Sequence, residues 1–392
     1  SNPRGFLFIY FCINFVICLG YDTWFCYICV IIAVIYSLNF VSEMNKNRFL
    51  LFCVFSLLSL MNYIIAKDNK DAKSLGTETY LDGFSYKPVL SGTIRGKFEY
   101  LTEESLGRFE VRNARLSVKG WVMPMIDYVA QFDFSDEGVF KTLDAYGRIH
   151  FKDYANIMIG QMRMPFSVDA TRGPHLLYFA NRSFVAKQVG NVRDVGVKLT
   201  LMPFDLPLSM EIGAFNGSGF SGQKQWKKDF AYSGKVNYKL GNVKFETGFE
   251  SVIPDSVRMN IFDTSISWKY DRWFIEGEYM NKHYARSMFD NVNAYTVMVN
   301  YTLPLPKVFN SVTFGSRFDG MDNHSNGIRD DSGHLIINDV ARKRLTCGAT
   351  LSFEKLFKAD LRINYEKYFY DNAAIVKESE QDKIVMELMI HF

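Results

Sequence analysis

Beyond residue 67 the chain has one cysteine, Cys347, because the other five (Cys12, Cys18, Cys26, Cys29 and Cys53) all precede it. No intramolecular disulfide is therefore available to that long remainder, a pattern that fits export to an oxidising compartment where unpaired thiols are avoided. Charge of one sign is scarce too: the formal net charge is +3 and basic residues form no runs, which excludes nucleic acid as a partner. There is no glycine-rich phosphate cradle and no dinucleotide fingerprint. The six histidines, His150, His175, His283, His324, His334 and His391, are scattered without cysteine partners or ligand-like spacing, so no cofactor and no metal is expected. A carboxylate group at Asp319, Asp322, Asp330 and Asp331 is the alternative metal candidate, for Ca²⁺, set against an ordinary solvated acidic loop.

What is present is an unusual balance. Apolar residues make up 48% and aromatics 16%, yet mean hydropathy is near zero. Strands with one face to lipid and the other to water produce that balance, because their hydrophobicity cancels on average while the aromatic count stays high.

The N-terminal part reads differently. Met44-Asn45-Lys46-Asn47-Arg48 precedes an apolar run from Phe49 to Leu60, with a small residue, Ala66, before Lys67. A basic segment, a short apolar segment and a small residue make residues 44–66 a signal peptide; the run is shorter than the roughly 20 residues that a membrane anchor needs. Residues 1–43, nearly continuously apolar from Phe6 to Val41, are expected to be translated upstream sequence, since such a helix would halt the chain in the inner membrane. Residues 67–87 form a linker and 88–392 the barrel.

From about Pro88 the dominant period is two. Leu90, Gly92, Ile94, Gly96 and Phe98 alternate with Ser91, Thr93, Arg95, Lys97 and Glu99, which places one set toward lipid and the other toward water. Ile126 to Phe134, Leu143 to Ile149, Val195 to Leu201 and Leu345 to Leu351 repeat the pattern, with Leu143, Ala145, Gly147 and Ile149 assigned outward. Connections alternate between tight (121–124, 151–154, 203–207, 240–242, 270–272, 303–309, 353–358) and longer and polar (101–108, 135–140, 164–192, 216–230, 251–259, 281–291, 320–341, 371–382). Seven short turns and eight longer loops join sixteen strands. The expected fold is all-β, a sixteen-stranded antiparallel transmembrane barrel with short periplasmic turns and long outer loops, in lipid of a Gram-negative outer membrane. Trp121, Tyr128, Trp268, Tyr270, Trp273, Tyr279 and Tyr301 suit the interfacial girdles. Ile384, Met386, Leu388, Ile390 and Phe392 alternate up to a terminal Phe and resemble the signal by which the outer-membrane assembly machinery recognises barrels.

Several stretches resemble the phosphate-selective porin O and P family. They are Gly147 to Phe151, Ile159-Gly160-Gln161-Met162-Arg163-Met164-Pro165-Phe166-Ser167, Arg193-Asp194-Val195-Gly196-Val197, Ser316 to Asp319, and Arg344 through Asn364-Tyr365 to Phe392. The resemblance implies a homotrimeric channel whose third outer loop folds inward and an arginine-lined path for anions.

The residues agree on the loop. Residues 164–192 are its longest connection, and from hinge to hinge it carries Arg163, Arg172, Arg182, Lys187 and Arg193 against Asp169 alone. Such a cluster in a narrow water channel concentrates anions. Leu176, Leu177, Tyr178 and Phe179 would let the loop pack on the wall or on a neighbouring subunit. Arg95, Lys97, Arg115, Lys119, Arg148, Lys198 and Arg317 extend the positive path. Asp127, Asp133, Asp144, Glu211, Glu276, Glu278 and Glu366 make the lumen mixed, which favours general permeation of small hydrophilic solutes with mild anion preference over strict phosphate selection.

A substrate-specific receptor or a barrel enzyme without general pore activity is the alternative. Against a gated receptor, the chain lacks the extra plug domain and the roughly 22 strands such proteins use. His324-Ser325-Asn326-Gly327 is similar to an outer-membrane phospholipase signature, but adjacent strand residues point to opposite faces, so His324 is not set to take a proton from Ser325.

Overall fold

In the computed structural model the described residues are 86–392, without 152, 189–191, 203–205, 221–222, 255–256, 307 and 371–375. The upstream stretch, the signal peptide and the linker as far as residue 85 lie outside the described residues.

Sixteen strands follow one another: β1 (Val89–Leu101), β2 (Leu106–Met123), β3 (Ile126–Asp136), β4 (Val139–Phe151), β5 (Ala155–Arg163), β6 (Arg193–Leu201), β7 (Leu208–Phe215), β8 (Ala231–Leu240), β9 (Val243–Val252), β10 (Met259–Tyr270), β11 (Trp273–Tyr284), β12 (Val292–Pro304), β13 (Ser311–Met321), β14 (Arg342–Glu354), β15 (Lys358–Tyr370) and β16 (Lys383–His391). Each pairs antiparallel with its neighbour in sequence, and β16 pairs with β1 to close the barrel. Closure satisfies every strand edge, which is what a sheet in lipid requires. Among the described residues no helix is long and apolar enough to cross a membrane; the chain crosses with strands.

The terminal residue seals the seam. Gly92 N donates to the Phe392 carbonyl at 2.7 Å and Phe392 N to the Gly92 carbonyl at 3.1 Å. Gly92 has no Cβ because the Phe392 ring occupies that space.

Three expectations are corrected. The first two outer loops are not long: β1 and β2 are joined by residues 102–105, and β3 and β4 by Glu137-Gly138 alone. Both of the latter have positive φ, 55° and 87°, as a two-residue hairpin turn needs to match strand twist. The polar stretch 135–140 had looked longer because its flanks, Ser135-Asp136 and Val139-Phe140, are themselves strand. Leu143 does not face lipid: the β3–β4 register slips there, pairing Gln131 with Asp144 and Phe132 with Thr142, and Leu143 is left only 2% exposed. Trp121 is not a girdle residue, because it pairs with Asp127 on the inner face.

Alternation also hides an apolar patch inside the barrel. Met259 and Ile261 on β10, Met280 and Tyr284 on β11, Val292 and Ala294 on β12 and Met321 on β13 are buried on the inner side, near the outer-loop ends of these strands. Met162, Met164, Phe166, Phe184 and Val185, from the end of β5 and the long loop, belong to the same cluster. Burial of this kind contributes about 1.5–3 kcal/mol per large side chain, enough to fix a loop against a wall that its polar groups alone would leave wet.

Candidate functional site

The third loop, residues 164–192, leaves the wall at a local break in the strand. Gly160 on β5 has φ 133° and faces Gly196 on β6. A Cβ at Gly160 would run into the Ala145 carbonyl and come within 2.8 Å of Tyr146 Cα, so only glycine fits. Next to it Gln161 Nε2 donates to the carbonyls of Thr142 (2.5 Å) and Leu143 (2.9 Å), satisfying backbone that the β4 bulge leaves free. The Gly-Gln-x-x-x-Pro-Phe-Ser stretch thus launches the loop.

Its landing point is Glu278 on β11. Ser167 Oγ donates to this carboxylate at 2.5 Å, Val168 N at 2.8 Å and Asp169 N at 3.1 Å, so Glu278 caps the short helix α1 (Val168–Thr171). Asp169 then ties the loop to itself, accepting from Ser183 N at 2.9 Å and Ser183 Oγ at 2.8 Å. Burial alone would raise the Asp169 carboxyl, but Arg182 and Arg172 outweigh it and hold its pKa below the ordinary value.

The loop descends along the wall. The His175 ring stacks on His391 of β16 at 4.1 Å, Tyr178 stacks on Phe274 of β11 at 5.1 Å, and Leu177 and Phe179 are buried. Of the four residues expected to pack, Leu176 alone stays exposed. Arg95 of β1 donates to the Ala180 carbonyl at 2.6 Å, Arg317 of β13 to Asn181 at 2.9 Å and Arg344 of β14 to Arg182 at 2.7 Å. Phe184 N, at the start of helix α2 (Phe184–Gln188), donates to Asp319 at 2.9 Å. The loop therefore lies over β1 and β11–β16, with Ser233 Oγ of β8 also donating to the Pro165 carbonyl at 2.9 Å.

That geometry divides the predicted basic residues. Arg95, Lys97 and Arg317 do not line a path: they are buried beneath the loop, paired with Glu387 (2.5 Å), Glu99 (3.1 Å) and Asp319 (3.3 Å). Side chains in this layer keep only 0–6% of their exposure, Arg362 and Arg344 included. Arg115, Arg148 and Lys198 on β2, β4 and β6 keep 11–18%, and pair with Asp133 (2.7 Å), Asp127 and Glu211 (3.1 Å). Arg193 sits with Asp144 at 2.8 Å. Within the loop, Arg172 meets both oxygens of Glu276 at 2.6 Å; burial opposes its charge, but Glu276 and Asp169 prevail and raise its pKa. Two of the loop's five cations, Arg172 and Arg193, are thus matched by carboxylates on the facing wall.

Arg163 and Arg182 differ. Arg163 donates to the Thr171 carbonyl, and Arg182 to the carbonyls of Asp169 and Arg172; among the described residues neither forms an ion pair with a carboxylate. Burial, against the pull of Asp169, lowers Arg182 to about 10. Lys187 falls in α2, and its side chain lies outside the described residues.

Sequence reasoning missed the wall partners that matter most, Glu276, Glu278 and Asp319, as anchors of the loop; it had counted the two glutamates as lumen charges and Asp319 as a candidate metal ligand. Their clustering on adjacent inward positions of β11 and β13 was the available signal. The outer-loop candidates dissolve. Asp319 binds Arg344 at 2.8 Å, Asp322 accepts from Asn293 N at 2.9 Å and Asp330 closes a turn with Ser332 and His334. His324 is buried with Nδ1 3.1 Å from Lys282 Nζ and Nε2 2.6 Å from Asn326, while Ser325 Oγ accepts from Gly327 N, so the two side chains do not pair. Burial and Lys282 depress His324 to about 3. The seventh loop is thus partly tucked inside the barrel, not wholly solvated as expected.

Residues 97–237 match the family described as phosphate-selective porin O and P. The chain is an outer-membrane β-barrel. Porins of known structure share its fold: an anion-selective porin from Comamonas acidovorans (11% identity, TM-score 0.56) and Salmonella typhi OmpF in complex with daunomycin (12%, 0.54) each cover 78% of this chain and 98% of their own. A loop L8 deletion mutant of Vibrio cholerae OmpT (10%, 0.53) covers 78% and 99%. At these identities the likeness concerns fold alone. No curated protein matches this chain.

Proposed function

We propose that this barrel is a diffusion porin for small hydrophilic solutes with a mild preference for anions. The observation that carries this is the asymmetry left by the docked loop. The uncovered wall brings Arg115, Arg148, Arg163, Arg193 and Lys198 together with Arg182 of the loop, six cations, against Asp127, Asp133, Asp144 and Glu211. Two of the cations, Arg163 and Arg182, are held by carbonyl oxygens instead of carboxylates, so that, although Asp144 and Asp169 act on them from nearby, their charge is the least compensated of the six in a low-dielectric passage. Because the others are paired, the field is modest, which supports anion preference more than a dedicated phosphate site.

Planar bilayers under a KCl gradient test this. The wild type should show a reversal potential on the anion side, and joint replacement Arg163→Gln and Arg182→Gln should move it toward zero; a clearly cation-selective wild type sinks the proposal. Phosphate should reduce chloride current only at high concentration. We further propose a homotrimer, read out as conductance rising in steps of three, and recognition of the Phe392 strand by the assembly machinery. A receptor would instead bind a ligand without steady conductance.

A further inference from the structure

Trp121 turns into the channel where a girdle tryptophan would turn to lipid. It pairs with Asp127 across β2 and β3, and its half-buried indole lies 5.1 Å from the His150 ring, tilted by 36°. His150 and Asn156 share this inner face as paired residues of β4 and β5. Beside them Arg148 holds both oxygens of Asp127, with Nε 2.9 Å from Oδ1, so a planar charged pair is fixed next to the aromatic surface. Among the described residues Asn156 Oδ1 is buried without a hydrogen-bond partner, and Asn156 is only 6% exposed, while His150 Nε2 lies 3.4 Å from Asp127 Oδ1. Unsatisfied buried polar atoms are costly and call for a partner.

We propose that Trp121, Asp127, Arg148, His150 and Asn156 form a pyranose-binding subsite at the periplasmic mouth of the channel. A pyranose has an apolar C–H face to cover the indole and a rim of hydroxyls, each both donor and acceptor. Those hydroxyls can meet the Asn156 oxygen and the exposed edge of the Arg148 guanidinium, whose side chain keeps 18% of its exposure. Few polar groups converging on one aromatic surface is the composition of a small-molecule site. An inorganic anion would use Arg148 but has no use for the indole or the Asn156 acceptor. The inference rests on the porin assignment and adds a substrate class to the same pore.

The test is maltose added to the periplasmic side of bilayers carrying wild type, Trp121→Ala or Trp121→Phe in KCl. Wild-type current should fall saturably with maltose. The half-blocking concentration should rise about tenfold in Trp121→Ala, the loss expected for one aromatic stacking contact, and stay near wild type in Trp121→Phe. A non-saturable response in the wild type, or equal half-blocking concentrations in all three, overturns the subsite while leaving the porin intact if KCl current is normal. Absence of KCl current from folded wild-type protein would overturn both.

Discussion

At the residue scale the molecule is governed by pairing. A basic side chain in this lumen acts on a solute only to the extent that no carboxylate has already claimed it, and the wall supplies carboxylates for Arg172, Arg193, Arg148 and Arg115. His175 shows the same logic for pH. Burial first, then His391 and Lys358, depress it to about 4 from 6.5, so it is neutral when docked. A depressed histidine contributes docking stability that is complete above its ordinary value and is lost as pH falls toward the docked value, because a released loop gains the proton first. Current fluctuations should therefore grow between about pH 6.5 and 4, and His175→Asn should show a much flatter pH response; an unchanged acid response in the variant would assign the effect elsewhere.

At the scale of elements, the loop and the wall beneath it are one unit. Glu278 accepts three hydrogen bonds from residues 167–169, and each lost bond leaves a buried donor unsatisfied at about 1–3 kcal/mol. Glu278→Ala should loosen the loop, raising single-channel conductance and lowering the urea midpoint, whereas Glu278→Gln, which keeps an acceptor, should lose less. Conductance identical to wild type in both would mean that the inner apolar cluster of Phe184, Met259 and Tyr284 fixes the loop without this cap. The launch of the loop is equally local: Gly160 has positive φ and a Cβ there would strike Ala145 and Tyr146 of β4, while one at Gly196 would strike Ala214 and Phe215 of β7, so glycine at both positions lets β5 lie against β4 and β6 against β7.

At the scale of the whole molecule, closure is the organising fact, and Phe392 takes part in it through its backbone pair with Gly92 and its ring. Deleting Phe392 should lower the amount of folded, heat-modifiable barrel in the outer membrane and leave unfolded chain in the periplasm; undiminished assembly would show that the seam closes without it. The sequence by itself determined the barrel, its sixteen strands and the six longer outer loops, because side-chain alternation and turn residues are local properties that survive without tertiary knowledge. Length, charge and apolar residues marked 164–192 as the distinctive loop, and the family resemblance implied that this loop folds inward. Only the tertiary structure decided which wall that loop covers, and hence that Arg95, Lys97 and Arg317 lie buried beneath it while Arg115, Arg148 and Lys198 stay partly exposed. The facing of Leu143 and Trp121, and the shortness of the first two outer loops, were likewise settled by register, since a one-residue bulge or a two-residue turn leaves almost no mark on composition.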